Sequence, residues 1–181
     1  MALATEQGFV LWLGGAMCTQ GWALAVQGIG EESIRLLRQG LATRGRNVGQ
    51  THNLAMLAEV YGKTGQPDTG LRVLDELLDV HMSGEHHYEA ELYRLHGELL
   101  LQHGHRVEDG EARFCKALDV ARRQHAKALE LRAAMSLSRL WQRQGKRAEA
   151  RHLLAEIYSW FTEGFACADL QTARALLEAL A

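Results

Sequence analysis

The sequence has almost no proline and few stretches that favour β-strands. Its 181 residues include a single proline, a residue that interrupts helices. Alanine, leucine, glutamate, glutamine and arginine, which favour helices, occur in long runs. Few windows combine β-branched residues with the period-two alternation that a half-buried strand needs. The composition therefore predicts an all-α fold with almost no strand.

Cysteine is also scarce. The three cysteines, Cys18, Cys115 and Cys167, are scattered and odd in number, and no C-x-x-C pair occurs. Such a set does not describe a disulfide framework or a cysteine metal site. The simplest interpretation is a reduced, intracellular protein, and we expect it to be cytoplasmic.

Neither a large net charge nor a long apolar run is present. The formal net charge is −2, which gives no overall attraction to nucleic acid or to an anionic membrane. The apolar run 9–17 is too short and too rich in glycine to span a bilayer. No lysine or arginine precedes Arg35, whereas a signal peptide carries positive charge before its apolar segment. We therefore expect a buried first helix and no membrane partner.

Two series of residues recur in one register along the chain. Small residues at a predicted contact between two helices form the first series: Gly21, Ala58, Gly97 and Ser138. Glycines that would end the first helix of each pair form the second: Gly28, Gly65, Gly104 and Gly145. Both series advance by 37, 39 and then 41 residues, by subtraction of these positions. Glycine suits a helix end because it adopts positive φ without strain.

The register predicts one repeat domain over 1–181 that consists of four helix hairpins and a capping helix. The hairpins span about 3–44, 51–82, 88–125 and 127–164, and the capping helix spans 169–180. A repeat array needs such a cap because its last hairpin otherwise exposes an apolar face. No cap precedes the first hairpin, so Phe9, Leu11 and Trp12 are expected on an uncovered face. That face could pair with a second copy of the chain.

The repeats resemble the tetratricopeptide repeat (TPR). The third repeat carries Tyr93, Gly97, Phe114 and Ala117 at the positions of that family's aromatic, glycine and alanine pattern. The family's fold is an α-solenoid, which the resemblance implies here. Its usual function, also implied, is a non-catalytic binding scaffold for a protein or peptide.

The repeats are longer than the usual 34 residues. Repeats of this length resemble the C-terminal region of bacterial predicted ATPases fused to adenylate or guanylate cyclase-like domains, and of MalT-like transcriptional activators. The resemblance is carried by 58–67, 88–101, 129–151 and 157–165. It implies a sensor or docking module of a bacterial regulator, and it does not extend to ATPase or cyclase activity.

Patterns that would indicate catalysis or a bound metal are incomplete. The tripeptide 62–64 (GKT) ends like a phosphate-binding loop, but Leu57 stands where that loop needs its first glycine. Five histidines fall in or near two loops without a cysteine at ligand spacing: His81, His86, His87, His103 and His105. No nucleophile and base can be grouped by spacing. We expect no enzyme activity, no cofactor and no metal.

In a TPR-like stack the first helices line the concave side, and residues one turn from the packing stripe face it. The following residues are therefore candidates for a partner-binding groove: His52, Glu59, Lys63, Glu91, Arg94, Glu98, Arg132, Met135, Arg139 and Arg143. An acidic segment of a partner could bind there through charge-assisted hydrogen bonds. Alternatively, the charges pair within the chain, as Arg94 could with Glu91 or Glu98.

Nucleic acid is the least favoured partner. The basic residues of 113–151 are divided between the groove side and the opposite side of the predicted hairpins. No base-stacking aromatic residues are interleaved with them, as single-strand binding requires. The three hypotheses are thus a binding module, a self-pairing structural element and, third, a nucleic-acid binder.

Overall fold

The computed structural model describes residues 8–44, 50–81 and 86–181. These residues form nine α-helices and no strand, so the all-α prediction is confirmed. The helices are α1 Val10–Val26, α2 Gly30–Arg44, α3 Gln50–Lys63, α4 Pro67–His81, α5 Glu89–His103, α6 Val107–Arg123, α7 Lys127–Arg143, α8 Arg147–Tyr158 and α9 Ala168–Ala179. None of these helices is both long enough and apolar enough to cross a membrane. The predicted start of the first hairpin at residue 3 and the predicted end of the second at 82 lie outside the described residues, as does the side chain of His81.

The chain divides into two compact units, Met1–Tyr88 and Glu89–Ala181. The first unit holds the hairpins α1–α2 and α3–α4. The second holds α5–α6 and α7–α8, and α9 packs against both α7 and α8. The single-domain organisation stays a prediction.

The four recurring glycines end the first helix of their hairpins, as predicted. Their φ angles are +84°, +76°, +86° and +81° at Gly28, Gly65, Gly104 and Gly145. In each case the amide of the next residue donates to a carbonyl five residues earlier, as from Ile29 to Leu24 at 2.9 Å. This is the hydrogen bond of a Schellman motif, which satisfies a carbonyl at the helix end. The recurring glycines therefore fix where each hairpin turns.

The recurring small residues Gly21, Ala58, Gly97 and Ser138 are all buried. Gly21, Gly97 and Ser138 face the second helix of their own hairpin. A Cβ added to Gly21 would lie 2.9 Å from the carbonyl oxygen of Ser33. The hydroxyl of Ser138 donates to the carbonyl of Ala150 at 3.1 Å. The helices approach so closely because the second helix also contributes a small residue. Sequence reasoning did not single out Ser33 or its counterpart Gly110, and both are buried.

Helix α9 closes the second unit, as expected of a cap. Leu170, Ala173, Leu176 and Leu180 are buried in one hydrophobic cluster with residues of α6, α7 and α8. Its opposite face is polar and exposed, with Gln171, Arg174 and Glu178. Such a face ends a stack of hairpins without leaving apolar surface in water.

Helix α1 of the first unit has a different outer surface. It buries Cys18 and Gly21 against α2, but Phe9 and Trp12 at its start are 52% and 72% exposed. Leu11 is 43% exposed. These values agree with the expectation that the side chains lie on an uncovered face among the described residues.

Candidate functional site

Most of the predicted groove residues of the second unit lie on one surface formed by three helices. Helix α7 contacts both α5 and α9. Residues three, four and seven apart share one side of a helix, and this spacing aligns the polar residues of α5 and α7. We define the α7 face as Glu91, Arg94 and Glu98 of α5, Arg132, Ser136, Arg139 and Arg143 of α7, and Asp169 of α9.

Glu91 is a buried carboxylate held by two arginines. Its side chain is 4% exposed. It accepts hydrogen bonds from Nε and Nη2 of Arg94 at 2.9 and 2.8 Å, and from Nη1 of Arg132 at 3.2 Å. A charged group is buried at tolerable cost only when it is paired in this way. Glu91 therefore positions the two guanidinium groups and offers almost no surface of its own.

Arg132 connects three helices. Besides Glu91 on α5, its Nε donates to Oδ2 of Asp169 on α9 at 2.7 Å. Both side chains of this second pair are more than a third exposed, at 39% and 36%. Solvent screens such pairs, so their net contribution to stability is small. The pair nevertheless occupies the guanidinium of Arg132 on the side that faces α9.

Ser136 continues the network one turn further along α7. Its hydroxyl donates to Oε1 of Glu98 at 2.7 Å and lies 3.4 Å from Nη1 of Arg94. Arg94 also approaches Glu98 at 3.6 Å. Sequence reasoning missed Ser136 and Asp169, although Ser136 stands four residues after Arg132 and so on the same side of α7. Met135, which the spacing had placed on this surface, is 5% exposed and belongs to the hydrophobic core.

The network stops before the last two arginines of α7. Arg139 is half-buried and Arg143 is exposed. Neither has an ion-pair or hydrogen-bond partner in the part of the chain that the structure describes. The acids of the α7 face, Glu91, Glu98 and Asp169, are engaged by Arg94, Arg132 and Ser136 instead. At one end of the face the charged groups are therefore paired within the chain, and the other end carries two arginines without such partners.

The predicted groove residues of the first unit form a separate set of contacts. His52 is exposed, and its ring lies nearly perpendicular to the ring of Tyr88, with the ring centroids 5.0 Å apart. Glu59 accepts a hydrogen bond from the indole of Trp22 at 3.0 Å and pairs with Lys63 at 3.3 Å. Here the carboxylate ties α1 to α3.

The sequence left two alternatives open for the charges of the predicted groove, which are pairing within the chain and binding of an acidic partner segment. Arg94 does pair within the chain, with both Glu91 and Glu98. Asp169 pairs with Arg132, so all three acids of the α7 face have partners within the chain, whereas Arg139 and Arg143 have none among the described residues. Internal pairing and partner binding thus concern different parts of the α7 face.

Metal ligands do not converge in the described part of the chain, where no three histidine, cysteine, aspartate or glutamate residues are placed to hold one ion. The rings of His103 and His105 lie 5.1 Å apart, but two histidines alone fall short of the three or four ligands of a zinc site. The absence of a resident metal stays a prediction.

Comparison with known proteins supports the fold. No family model and no curated protein matches the sequence. Solved structures that match include a Podosopora anserina chain assigned as a kinesin light chain, with nearly identical TPR-like repeats, and a variant of it. Their sequence identities to this chain are 15% and 14%, and the TM-score is 0.66 for both. Each match covers 91% of this chain and 83% of the other. The fold is thus a TPR-like helical repeat.

Proposed function

We propose that this chain is a non-catalytic protein- or peptide-binding scaffold that serves as a sensor or docking module of a bacterial signalling or transcription regulator in the cytoplasm. The TPR-like fold supports the scaffold role, since it presents side chains of several helices on one surface. The regulatory context is supported by the resemblance of segments such as 129–151 to the repeat regions of bacterial regulators. The partner binds the α7 face through an acidic segment.

The unpartnered pair Arg139 and Arg143 carries this proposal. Arg139 is half-buried and Arg143 is exposed, and a carboxylate from outside could accept charge-assisted hydrogen bonds from both guanidinium groups. The neighbouring acids are bonded to Arg94, Arg132 and Ser136 instead. Charge complementarity of this kind favours acidic partners and speeds their association.

The test compares two double variants of equal charge. Arg139→Gln/Arg143→Gln removes the unpartnered pair, while Arg123→Gln/Arg151→Gln removes two exposed arginines from α6 and α8. Fluorescence anisotropy measures the binding of labelled acidic peptides and of the same peptides with amide residues in place of the acids. We expect the first double variant to weaken binding at least about tenfold, corresponding to the loss of a charge-assisted hydrogen bond.

The control double variant should bind as the wild type does. Binding should also weaken as salt is added, because the interacting charges are exposed to solvent. The proposal is overturned if no acidic peptide binds, or if both double variants lose affinity equally.

A second candidate function is self-association through the first hairpin. Phe9, Val10, Leu11 and Trp12 expose apolar surface at the start of α1, and contiguous surface of this kind marks interaction sites. A symmetric dimer would bury the same patch on both copies. Sedimentation velocity of the wild type and of Trp12→Glu distinguishes the cases: a dimer that the substitution dissociates supports this function, and a monomeric wild type excludes it.

A further inference from the structure

We infer that the partner segment lies extended along α7 and carries two carboxylates at alternate positions, one for Arg139 and one for Arg143. This inference deepens the proposed function and rests on it. It specifies the conformation of the ligand, the spacing of its acids and the limit of its acidic stretch.

The spacing follows from helix and strand geometry. Arg139 and Arg143 are four residues apart, which is about 6 Å along a helix axis at about 1.5 Å per residue. In an extended chain, side chains on one side recur every second residue, about 6.6 Å apart. An Asp/Glu-x-Asp/Glu segment therefore presents both carboxylates to both guanidinium groups without bending.

A helical ligand could match the same distance with acids four residues apart, but the α7 face does not suit one. A helix that docks in a groove uses apolar anchors on one side. Among the described residues, the large hydrophobic side chains that are exposed lie at the start of α1, around the α1–α2 turn, at Val107, and in the segment after α8. None of them belongs to α5, α7 or α9. An extended segment needs no such anchors, because charge-assisted hydrogen bonds can hold it.

The same face limits the acidic stretch to two positions. Towards Arg132, a bound segment would pass Glu98 and Asp169, whose side chains are 34% and 36% exposed. Arg132 itself is already occupied by Asp169 at 2.7 Å and by Glu91 at 3.2 Å. A third carboxylate of the ligand would meet like charge there and find no free guanidinium. Neutral or basic residues are therefore favoured at that end of the segment.

The test uses short labelled peptides of equal net charge whose two aspartates are adjacent or separated by one, two or three residues. The intact chain is titrated into each peptide at one salt concentration. We expect the peptide with one intervening residue to bind about tenfold more tightly than the adjacent and the three-residue spacings, since only it engages both arginines. Arg139→Gln and Arg143→Gln should each abolish the preference, whereas Arg151→Gln should keep it.

The outcomes separate this inference from the proposed function. If acidic peptides bind equally at every spacing and the arginine variants weaken them all alike, the spacing inference is wrong and the scaffold proposal stands. If the three-residue spacing binds best and that peptide becomes helical on binding by circular dichroism, the extended conformation is wrong. If no acidic peptide binds, the proposed function fails and this inference fails with it.

Discussion

The hairpins α1–α2 and α5–α6 both rely on glycine at the crossing of their helices, but they use it differently. In α1–α2, a Cβ on Gly40 would lie 2.6 Å from the backbone oxygen of Gly14 and 2.7 Å from the sulfur of Cys18. In α5–α6, a Cβ on Gly110 would lie 2.6 Å from the side chain of Leu101. The first crossing brings backbone against backbone, and the second leaves room that a side chain fills. The same residue type thus marks two kinds of helix crossing, which should differ in how well they tolerate a larger side chain.

The two units also differ in how they bury charge. In the second unit Glu91 and Glu130 are each 3% exposed. Among the described residues of the first unit, no aspartate, glutamate, lysine or arginine is buried. A buried carboxylate needs its partners in place and in the right ionisation state. We therefore expect acid to affect the second unit through Glu130, whose pKa is lowered from its ordinary value.

The largest effect on stability is expected from alanine substitutions at the two helix crossings that contain glycine. Gly40→Ala should destabilise the protein by about 2 kcal/mol, because neither helix backbone can move away without losing other contacts. Gly110→Ala should cost less than about 1 kcal/mol, since half-buried Leu101 can change its rotamer and alanine favours the helix. Urea unfolding measures both. Equal losses for the two variants would show that the crossings are equally tolerant.

A smaller effect concerns the buried carboxylate of Glu130. Burial by itself would raise the pKa of Glu130, but hydrogen bonds from Lys127 and Arg122, at 2.7 and 2.9 Å, outweigh it and lower the pKa from its ordinary 4.5. The ionised carboxylate therefore contributes its full stabilisation above pH 4.5. This stabilisation is lost as the pH falls through the lower pKa of Glu130 in the folded protein. Glu130→Gln should cost about 1 kcal/mol near neutral pH, because both cationic partners are partly screened by solvent.

Thermal unfolding across a pH series checks this expectation. The difference in Tm between the wild type and Glu130→Gln should be constant near neutrality and shrink below pH 4.5. Glu32→Gln in the first unit is the matched control. The side chain of Glu32 is 45% exposed, and the pKa of its carboxyl is lowered by a hydrogen bond from Arg35. The control should change Tm much less, and an equal change would contradict the difference between the units.

The last effect, of similar size but stabilising, lies in the turn between α6 and α7. The amide of Ala126 donates to the carbonyl of Ala121 at 2.9 Å, the same bond that glycine allows inside each hairpin. Here His125 takes the glycine position with a φ of +54°. A left-handed conformation costs a residue with a Cβ about 1 kcal/mol. His125→Gly should therefore raise Tm by about 2–4 °C, and His125→Ala, which keeps the Cβ, should not.

Much of the fold could be predicted because the sequence signals that specify it are local. Gly28 and Gly145 end their helices for a reason that depends only on backbone conformation, so a single sequence shows it. The burial of Gly21 and Ser138 followed from the repeat register. The turn at His125 could not be predicted in the same way, since no glycine marks it and the conformation is imposed by the helices on either side.

The candidate site could be predicted only in part. The spacing put Glu91, Arg94 and Arg132 on one surface, and they do lie together. It could not show that Ser136 replaces Met135 on that surface, because one residue corresponds to only about 100° of rotation about the helix. It could not identify Asp169 as the partner of Arg132 either, since no local pattern links residues this far apart in the sequence.

The sequence by itself determined the helices, the places where they end and the period at which hairpins recur, because hydrogen bonds and side-chain spacing within a few residues decide these features. Only the tertiary structure decided which charges are satisfied. Pairing depends on how α5, α7 and α9 are rotated against one another, and that rotation is set by packing of their buried faces. From this packing it follows that Glu91 and Arg132 are bound within the chain, while Arg139 and Arg143 have no partner among the residues that the structure describes.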